Sequence, residues 1–74
     1  MKVTVKLFAS FQTGRFKQEL REYPDQTLIG TVVKELNIPE RDVGILLLNA
    51  VHADLKKPLS DGDILAIFPL VGGG

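Results

Sequence analysis

Val3, Val5 and Leu7 alternate with Thr4, Lys6 and Phe8. A period of two marks a strand buried on one face. The first three residues should therefore face a core, and Phe8 should share the other face with Thr4 and Lys6. Ser10 to Gly14 interrupts the pattern with small and polar residues ending in Gly, which suits a hairpin loop of moderate length. Alternation resumes over residues 15–22, with Phe16, Gln18, Leu20 and Glu22 set against Arg15, Lys17, Glu19 and Arg21. The second set is wholly charged and should face water. That predicts an edge strand whose charges discourage edge-to-edge association, a solvated face rather than a binding site.

Tyr23-Pro24-Asp25-Gln26 reads as a turn. Thr27 is the expected helix N-cap, although Gly30 stands where a capping box places Glu or Gln. Leu28, Ile29, Val32, Val33 and Leu36 recur at helical spacing and form one apolar stripe. Asn37 suits a C-terminal cap, and Pro39 blocks continuation. In a helix interior Gly30 costs about 1 kcal/mol relative to Ala. A tight approach of helix to sheet, or tolerance in a first turn, accounts for it. Residues 38–44 form a loop with room for one helical turn. Ile45-Leu46-Leu47-Leu48 is too apolar for a one-sided strand and predicts a largely buried one. A short strand fits around 51–54, Asp61-Gly62 supplies a tight bend, and Ile64 to Phe68 is the last strand. Pro69 ends its hydrogen-bonding capacity.

The order is thus strand, strand, helix, strand, short strand, strand. It predicts an α+β domain with a mixed four- to five-stranded sheet packed on one helix. First and last strands side by side in the centre would make a β-grasp arrangement. Residues 1–71 form the domain, and residues 72–74 are expected to be a flexible glycine tail. There are no repeats and no linker.

Composition narrows the chemistry. Seventy-four residues make one domain with a thin stability margin. Without Cys there is neither a disulfide nor a thiolate metal site. Nine basic and nine acidic side chains cancel, which argues against nucleic acid as a partner. No run of 18 apolar residues predicts a membrane span. The N-terminus lacks a signal-peptide core, so a cytoplasmic protein is the default expectation. His52 is the sole His, with Asp54 two residues on. An isolated surface His is the more common case than a catalytic one. No Ser sits in a nucleophile-elbow setting, and no metal-ligand cluster stands out. An ordinary enzyme is hard to build from these residues.

Gly72-Gly73-Gly74 cannot be a phosphate loop, because such loops precede a helix. Following Pro69-Leu70-Val71, three glycines give a side-chain-free thread ending in a carboxylate. Such a thread can enter an active site too narrow for any side chain. The blander reading is a frayed end. Phe8 and Phe68 should meet on the open face of the sheet, as an apolar patch of the kind that marks interfaces, with His52 near its edge. The blander reading is that these aromatics only cover the sheet.

The chain resembles the MoaD/ThiS family of small sulfur carriers over essentially its whole length. The residues that carry the resemblance are Val3-Thr4-Val5-Lys6-Leu7-Phe8-Ala9, Leu48-Asn49 and Pro58-Leu59-Ser60-Asp61-Gly62-Asp63, then Ile67-Phe68-Pro69-Leu70-Val71-Gly72-Gly73-Gly74. It implies a ubiquitin-like β-grasp fold and a non-catalytic carrier role. A ubiquitin-activating-like adenylyltransferase would use ATP to adenylate the Gly74 carboxylate, with Gly73 and Gly72 required for access. Sulfur would then replace one oxygen. The thiocarboxylate would donate its sulfur to molybdopterin through the synthase large subunit, or to the thiamine thiazole through thiazole synthase. The approach Phe68-Pro69-Leu70-Val71 looks more like the MoaD type, the small subunit of molybdopterin synthase. Phe8, Phe68, Pro69, Leu70, Val71 and His52 are the expected docking residues. No cofactor is expected on the carrier itself, and the free chain is expected to be a monomer. Two departures from the family pattern stand out, the third glycine Gly72 and Ala50 where Gly is common. Competing readings are a protein modifier joined through Gly74 to lysines, and an interaction module with an inert tail.

Overall fold

β1 (Lys2–Leu7) buries Val3, Val5 and Leu7 almost completely, as its alternation requires. In this computed structural model, which describes residues 1–71, β1 pairs antiparallel with β2 (Gln18–Glu22) and parallel with β5 (Ile64–Pro69). β3 (Val43–Leu48) runs antiparallel to β5, and the two-residue β4 (Val51–His52) antiparallel to β3. The sheet order is β2-β1-β5-β3-β4, with the parallel β1–β5 pair at its centre. A single α-helix among the described residues, α1 (Ile29–Glu35), covers one face. This is the β-grasp arrangement. The core joins Val3, Val5, Leu7, Leu46, Leu48, Leu65 and Ile67 of the sheet to Ile29, Val32 and Val33 of the helix. The expectations for Gly72, Gly73 and Gly74 fall outside the described residues.

The start of α1 differs from its expected form. Leu28, not Thr27, is the N-cap, and it makes no side-chain cap. The Thr27 hydroxyl donates instead to the Pro24 carbonyl. Backbone carbonyls of the 53–57 loop take over the capping role: Ile29 N–H donates to Lys57 O at 3.0 Å and Gly30 N–H to Leu55 O at 2.8 Å. A Cβ on Gly30 would stand 3.0 Å from that Leu55 oxygen. Gly30 therefore marks a close approach, but to this loop and not to the sheet.

Three further expectations are corrected. Residues 9–12 form a 3-10 turn rather than a plain hairpin loop, because Phe11 turns inward and is buried. The second strand begins at Gln18, and its charged set does not simply face water. Lys17 and Glu19 are exposed, but Arg15 and Arg21 are half-buried. Arg15 donates to the carbonyls of Leu36 and Asn37, capping the end of α1, and to Phe11. Arg21 lies over the Phe16 ring and donates to Tyr23 Oη and Glu35. Finally, β3 alternates instead of being largely buried. Leu46 and Leu48 face the core, while Ile45 is 44% exposed, because the sheet's second face carries no helix.

Candidate functional site

Pairing register decides which side chains share the open face, since directly opposed residues point the same way. Thr4 faces Ile64 and Lys6 faces Ala66 across β1–β5. Across β5–β3, Ala66 faces Leu47 and Phe68 faces Ile45. The expected pair is realised just beyond the end of β1: the rings of Phe8 and Phe68 stack with centroids 4.1 Å apart and planes within 10°. Both rings remain half-exposed. Aromatic pairs contribute about 0.5–1.5 kcal/mol beyond their burial. The result is a rigid apolar patch of Phe8, Phe68, Ile45, Leu47 and Ala66.

His52 is opposite Leu47, so β4 puts it at the margin of this face. Asp54 lies past the end of β4 and accepts the Lys56 N–H at 2.8 Å, and both residues line one depression beside β4. Pro69 closes β5 directly after the stacked pair, and Leu70 and Val71 are exposed beyond it. Patch and chain exit are therefore contiguous. Among the described residues, no group of three or more His, Cys, Asp or Glu is placed to hold a metal ion, and no helix is long and apolar enough to cross a membrane.

Ile45, Leu47 and Gly44 belong to the site but were not singled out in the sequence. For Ile45 and Leu47 the signal was available: one helix can cover only one face of a five-stranded sheet, so alternate apolar residues of β3 had to remain on the other. Gly44 gave no signal, because its importance comes from what β5 does beside it. The register slips between Val43 and Ile45, leaving Gly44 as an extra, bulged residue. This bulge is what admits Pro69 into β5 next to an interior neighbour strand.

The most polar cluster lies on the helix side of the sheet, away from the patch. Tyr23 donates to Glu35 Oε1 at 2.9 Å and accepts from Arg21 at 2.8 Å. Burial, reinforced by the hydrogen bond to Glu35, pushes the Tyr23 phenol up to about 12 despite the opposing effect of Arg21. This network ties β2 to the end of α1.

Comparison with known proteins follows the same lines. The profile of the ThiS family matches residues 5–74. No curated protein matches the sequence. Among solved structures, the putative molybdopterin converting factor subunit 1 of Pyrococcus furiosus is similar at 26% identity and a TM-score of 0.76, over 96% of this chain and 99% of that one. Subunit 1 or 2 of the molybdopterin-converting factor of Helicobacter pylori, solved as a protein–protein complex of the two, matches at 25% identity and a TM-score of 0.67 over the full length of both chains. SAMP1 of Haloferax volcanii shares the fold at 24% identity and a TM-score of 0.76, also over both full lengths.

Proposed function

Because the chain belongs to the ThiS family and is a ubiquitin-like sulfur carrier of the MoaD/ThiS type, we propose that its working group is the Gly74 carboxylate, converted to a thiocarboxylate for molybdopterin synthesis. A carboxylate is a poor electrophile. In the first step one of its oxygens attacks the α-phosphorus of ATP on an adenylyltransferase partner, and pyrophosphate leaves. In the second, a sulfur nucleophile at the oxidation level of hydrosulfide attacks the acyl carbon. AMP departs with the bridging oxygen, and the thiocarboxylate remains. An acyl-adenylate in open water hydrolyses, so the partner's site must enclose the thread. Gly72 and Gly73 suit that enclosure by having no side chains.

The observation that carries this reading is contiguity. The stacked Phe8–Phe68 pair and Ile45 form a rigid apolar surface, and the chain leaves it through Pro69-Leu70-Val71. A partner that covers the patch receives the thread at its edge. Aromatic anchors of this kind dominate interface energetics. Phe8, Phe68, Pro69, Leu70, Val71 and His52 are the proposed contacts, joined by Ile45 and Leu47. The likeness to molybdopterin converting factor subunit 1 supports the synthase large subunit as acceptor. Thiazole synthase is the alternative acceptor, in keeping with the name of the matched family.

Reconstitution with adenylyltransferase, ATP and a sulfur source tests the reading. The thiocarboxylated chain is then offered separately to the synthase large subunit and to thiazole synthase. Dithiolene formation with the first supports the molybdopterin assignment. Transfer only to thiazole synthase would reassign the pathway, and transfer to neither would remove the carrier role.

A further inference from the structure

The tail leaves the domain at a place where backbone meets backbone. Leu70 N–H donates to the Asp42 carbonyl at 2.8 Å, at the end of the 3-10 turn Glu40–Asp42. The Pro69 and Leu70 backbone also passes directly over the bulged residue of β3. A Cβ built on Gly44 would stand 2.7 Å from the Pro69 carbonyl oxygen and 2.9 Å from Leu70 Cα. These are backbone atoms, so no side chain can swing away to make room. Only glycine at position 44 allows the exiting strand to lie where Asp42 can hold it.

We infer that Gly44 and the Asp42 carbonyl form a clamp that aims the C-terminal thread, which makes Gly44 a positioning residue for the reaction at Gly74. The inference rests on the carrier reading above. Its force comes from how short the thread is. Gly74 is four residues beyond Leu70, and at roughly 3.3–3.6 Å per extended residue that distance is at most about 14 Å. With so little slack, the point and direction of departure decide whether the carboxylate reaches the reacting phosphorus. Misplacement of a reacting group by about 1 Å can cost on the order of 100-fold in rate. The centre of the docking patch is the side chains of Phe8, Phe68, Ile45 and Leu47, whereas the clamp acts on the backbone of Pro69 and Leu70 at its edge. Loss of the clamp should therefore leave the central anchors in place and impair turnover more than docking.

Full-length Gly44→Ala is assayed with the adenylyltransferase by ATP–pyrophosphate exchange, varying the concentration of the chain. The expected result is a fall in kcat of about 10-fold or more, with KM changed less than about twofold. Two glycines inserted after Val71 in the same variant should restore most of the rate, because slack replaces aim. A merely structural defect would not respond to a longer tail. An unchanged kcat overturns the inference, as does a loss that the inserted glycines do not rescue. If the Ala variant does not fold, a synthetic chain with an ester in place of the Leu70 amide removes the one donor to Asp42 and adds no atoms. It should show the same loss in kcat, and full turnover would overturn the clamp. Absence of exchange by the unaltered chain, with an adenylyltransferase competent on another carrier, is a different failure: it removes the carrier reading and the clamp's role with it.

Discussion

Ala50 is a residue whose replacement should stabilise the protein. β3 and β4 are joined by two residues, Asn49 and Ala50, and both have positive φ, +52° and +68°. A two-residue hairpin with both φ values positive is the type I′ geometry, for which Asn-Gly is the favoured pair. Asn tolerates this region, but for Ala the contact of Cβ with the backbone costs roughly 1–2 kcal/mol. Ala50→Gly removes that cost. It also loosens the unfolded chain, which offsets about 0.4–1 kcal/mol. The net gain should be about 0.5–1 kcal/mol. In a domain of this size that raises Tm by roughly 2–8 °C. Urea and thermal unfolding followed by circular dichroism measure both quantities, and the urea m-value should not change. An unchanged or lowered midpoint would refute the reasoning, since it would mean that position 50 carries no left-handed strain.

Other perturbations test other parts of the structure. Asn49→Ala should cost about 2 kcal/mol in urea unfolding: Asn49 accepts the Ile64 N–H and donates to Asp63, each at 2.9 Å, and Ala would add left-handed strain. Phe8→Ala should weaken complex formation with the adenylyltransferase at least about 10-fold by titration calorimetry, while lowering folding stability by less than about 2 kcal/mol. The Tyr23 phenol, raised to about 12 by burial first and by Glu35 second, makes the folded state bind its proton more tightly than the unfolded state does. Its stabilising contribution is thus complete below pH 10 and is lost as pH rises from 10 through 12. Tyr23→Phe should flatten that part of the pH–stability curve, and a curve of unaltered steepness would count against the assignment.

The fold was legible where burial enforces a period. Val3, Val5 and Leu7 on β1, and Ile29, Val32, Val33 and Leu36 on the helix, are buried as their spacing predicts. The Phe8–Phe68 encounter was legible too, because parity along β1 and β5 puts both rings on one face once the two strands are neighbours. What escaped depends on tertiary partners. The cap of α1 is built from Leu55 and Lys57 carbonyls far along the chain, so Thr27 gave the wrong start. Arg15 and Arg21 read as surface charges, yet each finds acceptors only after β2 packs beside the end of α1. Gly44 looked like a loop residue, because the backbone it makes room for, Pro69 and Leu70, lies 25 and 26 positions further on.

The most direct test is the intact mass of the chain, isolated from its own cells or after incubation with adenylyltransferase, ATP and a sulfur source. A mass increase equal to one oxygen replaced by sulfur, mapped by fragmentation to Gly74, is the predicted result. An unshifted mass, with an adenylyltransferase that demonstrably works on another carrier, would contradict the thiocarboxylate role.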